Sequence, residues 1–213
     1  MWLRYWMVVC LLWPAAALSQ PVNDDCSEAS VAFVGTTAFD ISSATDSAVP
    51  PDDSLCSGAL LGQLHRDLWW RFTPDTSGLL SVSTCNSANF DSDLAVYSGT
   101  CSDLQLIGCN GDAAGCSLFT SHVAEMPVAA GEEILIRVGG WSTTSIGSGD
   151  LIVELSGPIP PIDLQCSTGP GGISASWSAP LPVDNWEIYL DGALIDTLDG
   201  SATSWIGGTV PGI

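Results

Sequence analysis

Six cysteines lie between positions 26 and 116 of this chain, and they constrain the fold more than any other feature: Cys26, Cys56, Cys85, Cys101, Cys109 and Cys116. An even set of this kind in an exported protein predicts three disulfides. Zinc binding is not supported, because the chain has no Cys-x-x-Cys pair and neither histidine stands at ligand spacing to a cysteine. The preferred pairing is local, namely Cys26–Cys56, Cys85–Cys101 and Cys109–Cys116, although the sequence alone leaves the connectivity open.

The amino-terminal segment predicts export into such an oxidising environment. Residues 1–19 have the pattern of a secretory signal peptide, with Arg4 in a short positive region, an apolar run, and small residues before Gln20. An uncleaved amino-terminal anchor is the alternative interpretation. No later stretch reaches the ~20 apolar residues of a membrane-spanning helix, so we expect no membrane span after cleavage. The expected location is secreted, extracellular or on the cell surface.

The charge balance narrows the choice of partners. The chain has 24 acidic residues against four Arg and no Lys, with a net charge of −20. Such a chain repels phosphate backbones and anionic membranes, so we expect no nucleic acid partner. Divalent cations and an extracellular polysaccharide or protein matrix remain as candidate partners. The acidic surface also has a simpler role in keeping an exported protein soluble.

Short apolar runs separated by Gly, Ser, Asp and Pro predict an all-β fold. Strands are expected over residues 68–72, 79–84, 94–97, 134–138 and 151–155. The last two runs alternate, so that one face is apolar while the other admits a charge. No segment shows a sustained helical period with caps. Many short strands at spacings of roughly 8–12 residues favour a β-sandwich of the jelly-roll type.

A proline-rich stretch at residues 157–161 divides the chain. Its three prolines favour a stiff, extended linker. Residues 20–156 are then one β-sandwich domain and residues 162–213 a smaller β module. Within the module, strands are expected over residues 162–166, 172–177, 186–190, 193–198 and 204–206, with a hairpin turn at Asp191-Gly192.

Seven segments of the first domain follow one another in a specific order and spacing. They are NDDCSEA at 23–29, DLWWRF at 67–72, STC at 83–85, FDSDLAVY at 90–97, CNGD at 109–112, AGE at 130–132 and IRVGGW at 136–141. In this respect residues 23–156 resemble the cysteine-rich form of the bacterial pre-peptidase C-terminal (PPC) domain. The resemblance implies a jelly-roll β-sandwich appended to exported proteins, which is non-catalytic and sometimes associated with calcium, matrix or polysaccharide.

The second module has its own resemblance. Trp177 and the segment WEIYLDG at 186–192 are similar to the first part of a fibronectin type III or immunoglobulin-like module. Such sandwiches need about seven strands and roughly 100 residues. Only about 50 residues follow the linker, so we expect a truncated module. Cys166 is the odd cysteine of the exported part, and its partner is expected to be missing with the rest of the module.

Acidic residues supply the candidate metal site. Asp91 and Asp93 are two positions apart, so in extended backbone their side chains share a face. Asn110 and Asp112 stand in the next turn-rich stretch, where the resembled family has acidic or amide side chains. Together these residues offer the oxygen ligands that Ca²⁺ prefers. The alternative is that they only cap turns. No pattern requires any other cofactor.

Three tryptophans are candidates for stacking on sugars: Trp69, Trp70 and Trp141. Adjacent Trp69 and Trp70 face opposite ways in a strand, so one of them must leave the core unless a second layer covers it. Trp141 follows Gly139-Gly140 and is expected in an exposed loop. Packing into the core is the alternative for all three.

No motif marks a catalytic centre, so we expect no enzyme. The chain has only two histidines as candidate bases and no Gly-x-Ser-x-Gly elbow. The main functional hypothesis is a non-catalytic binding, adhesion or accessory module of a larger extracellular bacterial protein. The alternatives are a carbohydrate-binding accessory domain of a polysaccharide-degrading enzyme, and a secreted hydrolase of unrecognised type.

Overall fold

The computed structural model of the protein describes residues 20–207, except positions 53, 57–61, 158–159, 171, 182 and 184. The expected signal peptide (residues 1–19), two residues of the expected linker and residues 208–213 lie outside the described residues. The described part contains fourteen strands and two short 3-10 helices, Cys26–Glu28 and Ser117–Phe119. The all-β fold class is therefore confirmed. No helix in these ranges is both long and apolar enough to cross a membrane.

The first nine strands form a β-sandwich of two sheets. They are β1 (Ser30–Val31), β2 (Gly35–Asp40), β3 (His65–Phe72), β4 (Gly78–Ser83), β5 (Ser92–Thr100), β6 (Asp103–Asn110), β7 (His122–Val128), β8 (Ile134–Gly140) and β9 (Ser148–Ser156). One sheet has the order β1-β3-β8-β5-β6 and the other the order β2-β9-β4-β7. β1 pairs with β3 in parallel, and the remaining pairs of these nine strands are antiparallel.

The main core lies between the two sheets. Its central side chains come from the five-stranded sheet (Leu68, Trp70, Phe72, Leu94, Val96, Ile134, Ile136, Val138) and from the four-stranded sheet (Leu80, Val82, Val123, Val128, Leu151, Val153). Phe39 packs edge-on against Trp70 with ring centroids 5.8 Å apart. Each such side chain contributes about 1.5–3 kcal/mol when fully buried. This alternating apolar face is the part of the fold that the sequence pattern predicts.

A second apolar cluster covers the other face of the five-stranded sheet. Trp69, Tyr97 and Leu135 point to this face, and Cys56 and Leu64 from the long segment between β2 and β3 pack over them. Both faces of the central strands are therefore buried, and every residue of β8 is buried. Trp69 is stacked on Tyr97, with ring centroids 5.9 Å apart. This second layer is what allows two adjacent tryptophans in β3 to be buried together.

Three disulfides form among the six cysteines, as expected, but the local pairing is wrong. The observed bonds are Cys26–Cys101, Cys56–Cys109 and Cys85–Cys116, in place of Cys26–Cys56, Cys85–Cys101 and Cys109–Cys116. Their sequence separations are 75, 53 and 31 residues. Loop closure becomes only about 0.6 kcal/mol costlier with each doubling of length, so proximity in sequence is a weak guide. Two of the bonds attach the segments before β3 to the β5–β6 hairpin, and the third joins the loops that follow β4 and β6.

The second unit contains β10 (Ile162–Gly169), β11 (Gly172–Ser178), β12 (Asn185–Leu190), β13 (Ala193–Asp199) and β14 (Ser204–Ile206). They form a three-stranded sheet, β10-β11-β14, and a two-stranded sheet, β12-β13. Asp191 and Gly192 both have positive φ, at 49° and 81°, as the predicted hairpin turn requires. Trp177 and Trp186 are buried and pack edge-on at 5.7 Å. Cys166 is exposed and forms no disulfide within the described ranges.

Candidate functional site

Three central strands of the five-stranded sheet have neighbouring termini at one end of the sheet, where β3 and β5 begin and β8 ends. His65 and Ser92 both lie opposite Gly140 in the strand register. Beyond the last strand pair, the backbone N–H of Trp141 donates to the carbonyl oxygen of Asp91 at 3.1 Å, and the backbone N–H of Gln63 donates to the carbonyl oxygen of Trp141 at 3.4 Å. These bonds bring the Asp91–Asp93 pair next to Trp141.

Glycine makes this close approach of backbones possible. A Cβ at position 139 would lie 2.6–2.9 Å from the backbone of Leu64, and a Cβ at position 62 would lie 2.6 Å from Oδ2 of Asp93. Both distances are below ordinary van der Waals contact, so a larger residue would push residues 62–64 away from the sheet. The glycines therefore let residues 62–64 pass directly over the carboxyl of Asp93.

Asp93 is fully buried at this edge. Its Oδ2 accepts a hydrogen bond of 2.7 Å from the backbone N–H of Gly62, whereas Oδ1 has no partner. Burial raises the pKa of Asp93 to about 8; the backbone amides of Gly62 and Leu64 oppose this rise, and the negative charges of Asp91 and Asp112 add to it. Burial and the charge of Asp112 also raise the pKa of Asp91. Three of the four predicted metal ligands, Asp91, Asp93 and Asp112, therefore lie close enough for the charges of Asp91 and Asp112 to raise the pKa of Asp93.

Asn110, the fourth predicted ligand, does not belong to this group. It pairs with Leu94 in the β5–β6 register, and paired side chains share a face, so Asn110 lies on the face opposite to that of Asp93. Its Oδ1 accepts a hydrogen bond of 3.2 Å from the backbone N–H of His122. Asn110 therefore bonds to the backbone at the start of β7 and does not join the acidic group. Within the described ranges, no three His, Cys, Asp or Glu side chains converge as a ready-made metal centre.

Trp141 is exposed, as expected from its place after two glycines. Its side chain has 46% of its surface accessible. The residues that follow it are held together by their own hydroxyl groups, with Ser142 Oγ at 3.0 Å from Thr144 Oγ1 and 3.1 Å from Ser145 Oγ. Backbone bonds on both sides of Trp141 complete the support. The loop therefore presents an indole ring on a well-anchored backbone.

A polar cavity of about 300 Å³ adjoins this loop. It is lined by Ala44, Thr45, Asp46, His65, Arg66 and Thr143. Thr143 belongs to the Trp141 loop, and His65 lies opposite Gly140, the residue before Trp141. The cavity is therefore lined in part by the loop that carries Trp141.

Asp46 organises the walls of the cavity. Its Oδ2 lies 2.9 Å from Nδ1 of His65, and its Oδ1 accepts a hydrogen bond of 2.9 Å from the backbone N–H of Arg66. These two contacts lower the pKa of Asp46, the Arg66 amide more than the imidazole. Asp46 was not a candidate from the sequence, since nothing distinguishes it from the other acids of its Ser- and Asp-rich segment. Asp46 contacts His65 and Arg66 only because that segment folds back onto β3.

The other two predicted sugar-stacking residues are excluded from this surface. Trp69 and Trp70 are 0% and 2% exposed, so the prediction that one of this pair stacks on glycan is wrong. The physical reason is the second apolar layer over the five-stranded sheet. Nε1 of Trp69 donates to Oγ of Ser47 at 2.8 Å, which satisfies its only polar atom inside that layer.

No protein-family model matches the chain, and the curated proteins searched contain no match that qualifies as a relative. The resemblances to the PPC domain and to a fibronectin type III or immunoglobulin-like module therefore stay predictions. The structure places three features at one end of the sandwich. They are the buried and partly unpaired carboxyl of Asp93, a polar cavity, and the loop that carries the exposed indole of Trp141. Convergent polar groups beside an apolar platform are the general composition of a small-ligand site.

Proposed function

We propose that this chain is a secreted, non-catalytic binding or adhesion module of a larger extracellular bacterial protein, and that it contacts polysaccharide through Trp141. The observation that carries the proposal is the position of Trp141, exposed on an anchored loop whose Thr143 lines a polar cavity. An exposed aromatic that loses little conformational freedom on binding is a typical anchor of a contact surface.

The three disulfides support the extracellular part of this proposal. Bonds of this kind persist in oxidising compartments and are rare in the cytosol. They tie the segments around the sandwich to one another and, through Cys109, to β6. The net charge of −20 favours a partner without negative charge, such as a neutral polysaccharide.

The chemistry of the cavity supports a sugar as the ligand. A sugar ring has an apolar C–H face, which suits an indole, and hydroxyl groups that both donate and accept hydrogen bonds. Asp46 and Thr45 offer acceptors, and Arg66 and Thr143 offer donors, in the cavity that the Trp141 loop helps to line. This observation favours the carbohydrate-binding alternative over adhesion to a protein matrix.

A glycan array, followed by pull-down on the insoluble polysaccharides that score highest, tests the proposal. Trp141→Ala is expected to weaken binding by more than about tenfold, since a central aromatic anchor contributes about 2 kcal/mol or more. Phe33→Ala is the matched control, because Phe33 is 71% exposed and follows β1 near the opposite end of β3. Equal binding by wild type and Trp141→Ala would remove Trp141 from the contact.

The same preparation tests the hydrolase alternative. The bound polysaccharide is incubated with the protein, and released sugars are quantified. We expect no release above the blank. Turnover that disappears in the Asp46→Asn variant would overturn the non-catalytic proposal and place a catalytic carboxylate in the cavity.

A further inference from the structure

We propose that the sandwich has a second polysaccharide subsite, a groove lined by Leu118, and that one extended chain of neutral sugars binds both there and at Trp141. The inference rests on the proposed function, because it names the kind of polysaccharide that the same end of the sandwich contacts. The ligand is then a long chain held along several sugars, and not a single terminal sugar.

The groove has a volume of about 590 Å³ and lies among the segment 86–89, Leu118 and residues 148–150 at the start of β9. This volume falls within the roughly 300–1,000 Å³ of small-ligand sites. Among the described residues that line it, hydroxyl, amide and apolar side chains predominate, and Asp150 is the only charged one. Such a lining offers hydrogen bonds to sugar hydroxyl groups and gives an anionic chain no cation to pair with.

Two large apolar side chains are held in solvent at this groove. Leu118, which lines it, is 56% exposed, and Phe119 is 64% exposed. Both have a left-handed backbone, with φ of 54° and 57°, which residues with a Cβ rarely adopt. The turn is tied down by the disulfide of Cys116 and by Asn86, whose Oδ1 accepts hydrogen bonds of 2.8 Å from the backbone N–H and from Oγ of Ser117. Unfavourable backbone conformations that the surrounding structure enforces are concentrated at ligand-binding sites.

The amide groups of the groove retain donors for a ligand. Within the described ranges, Nδ2 of Asn86 bonds only to Sγ of Cys85 at 3.4 Å, and sulfur is a weak acceptor. Nδ2 of Asn89 reaches Oγ of Ser148 at 3.5 Å, and an amide nitrogen carries two hydrogens. Apolar side chains beside such donors suit a sugar, which has an apolar C–H face and polar hydroxyl groups.

The groove is continuous with the end of the sandwich that carries Trp141. Asn89, which lines the groove, is two residues before Asp91, whose carbonyl oxygen accepts the backbone N–H of Trp141. Thr143, which lines the polar cavity, is five residues before Ser148, which lines the groove. At no more than about 3.6 Å per residue, these separations are at most roughly 7 and 18 Å. A chain of several sugars can therefore reach both sites, which together are too large for a disaccharide to fill.

Affinity electrophoresis of the oxidised full chain through gels that contain dissolved glucomannan, xyloglucan or a β-1,3-glucan tests the proposal. Calorimetry then measures the affinity for the disaccharide of the polymer that retards the protein. We expect the polymer to bind at least about tenfold more tightly than its disaccharide, since two subsites on one chain act together. Equal affinities would overturn the second subsite and leave the proposed function intact. Retardation by none of these polymers would contradict the proposed function, and this inference with it.

Glycine variants assign the second subsite. Leu118→Gly/Phe119→Gly removes both apolar side chains, and glycine adopts the left-handed turn readily. We expect the double variant to bind the polymer about tenfold more weakly and the disaccharide within about twofold of wild type. Glu125→Gly is the matched control, because Glu125 is an exposed residue of β7 with φ of 57° that does not line the groove.

The variants also separate the two proposals. Wild-type affinity for the polymer in Leu118→Gly/Phe119→Gly, combined with weakened binding in Trp141→Ala, would overturn the second subsite alone. The single variant Leu118→Gly keeps the test valid if the double variant does not fold.

Discussion

Arg137 of β8 donates a hydrogen bond from its Nε to Oδ2 of Asp67 in β3 at 2.8 Å, inside the second apolar layer. The two side chains are 1% and 0% exposed. The guanidinium also lies over the ring of Trp69, 5.2 Å from its centroid. The alternating pattern of residues 134–138 predicts that this face of β8 admits a charge, but the charge is buried beneath the β2–β3 segment and not solvated. A buried pair of this kind matters to stability mainly when one partner is removed.

Removal of Arg137 should therefore be costly. Arg137→Met leaves the Asp67 carboxylate buried without its cation, and we expect a loss of about 3–5 kcal/mol in the free energy of unfolding. Arg71→Met is the control, because Arg71 pairs with Glu133 at 3.2 Å on a half-exposed surface and should cost at most about 1 kcal/mol. Urea unfolding of the three oxidised proteins measures both values. Equal losses would contradict the burial of the Asp67–Arg137 pair.

The disulfide connectivity can be read by mass spectrometry without reduction. An Asp lies between every two consecutive cysteines of the six, so Asp-directed cleavage separates them. We expect linked peptides for Cys26–Cys101, Cys56–Cys109 and Cys85–Cys116. Any peptide joining Cys109 to Cys116 would show that β6 and the following loop are arranged differently.

Removal of a buried tryptophan should lower the free energy of unfolding much more than removal of an exposed one. Trp70→Ala removes a ring from the core between the sheets, and we expect a loss of about 3–5 kcal/mol. Trp141→Ala removes an exposed ring and should stay within about 0.5 kcal/mol of wild type. Thermal or urea unfolding checks both. A large loss on Trp141→Ala would mean that the indole packs against the protein instead of facing solvent.

Asp93 should make the protein less stable as the pH rises. Its pKa is raised from 3.8 to about 8 in the folded state, so the folded protein holds the proton more tightly than the unfolded chain. The stabilisation is therefore complete below about pH 4 and is lost as the pH rises through 8. Wild type should lose up to about 1 kcal/mol per pH unit relative to Asp93→Asn between pH 5 and 8. Urea midpoints across that range measure the difference, and a constant difference would contradict the buried carboxyl.

The strands that the sequence predicts in the first domain are all central, and the strands that it misses are all at sheet edges. The predicted runs correspond to β3, β4, β5, β8 and β9, whereas β1, β2, β6 and β7 form the four edges. Central strands contact neighbours on both sides and need apolar side chains, which makes them visible locally. Edge strands tend to be short, polar or interrupted by proline, as at Pro127 in β7, so their local pattern is weak.

The features of the candidate site also fall into two groups, those that local sequence predicts and those that depend on tertiary contacts. The exposure of Trp141 and the proximity of Asp91 to Asp93 follow from local spacing, and both are confirmed. The exclusion of Asn110 depends on the β5–β6 register, and the role of Asp46 depends on how the segment before β3 folds back. Register and loop packing arise from contacts between residues far apart in sequence, so no local pattern could have predicted them.

Local chemistry was enough to establish the all-β class, the central strands and the Asp191-Gly192 hairpin, because each depends on residues that are neighbours along the chain. The even number of cysteines in an exported chain was enough to predict three disulfides. The partner of Cys56, the burial of Trp69 beside Trp70, and the enclosed carboxyl of Asp93 were decided only when the β2–β3 segment closed over the outer face of the five-stranded sheet. The other two disulfides were decided by the packing of other segments that are far apart in sequence. That closure removes water from one whole face of the sheet. Water exclusion is a property of the assembled layers, so it determines which polar groups need partners only after the chain has folded.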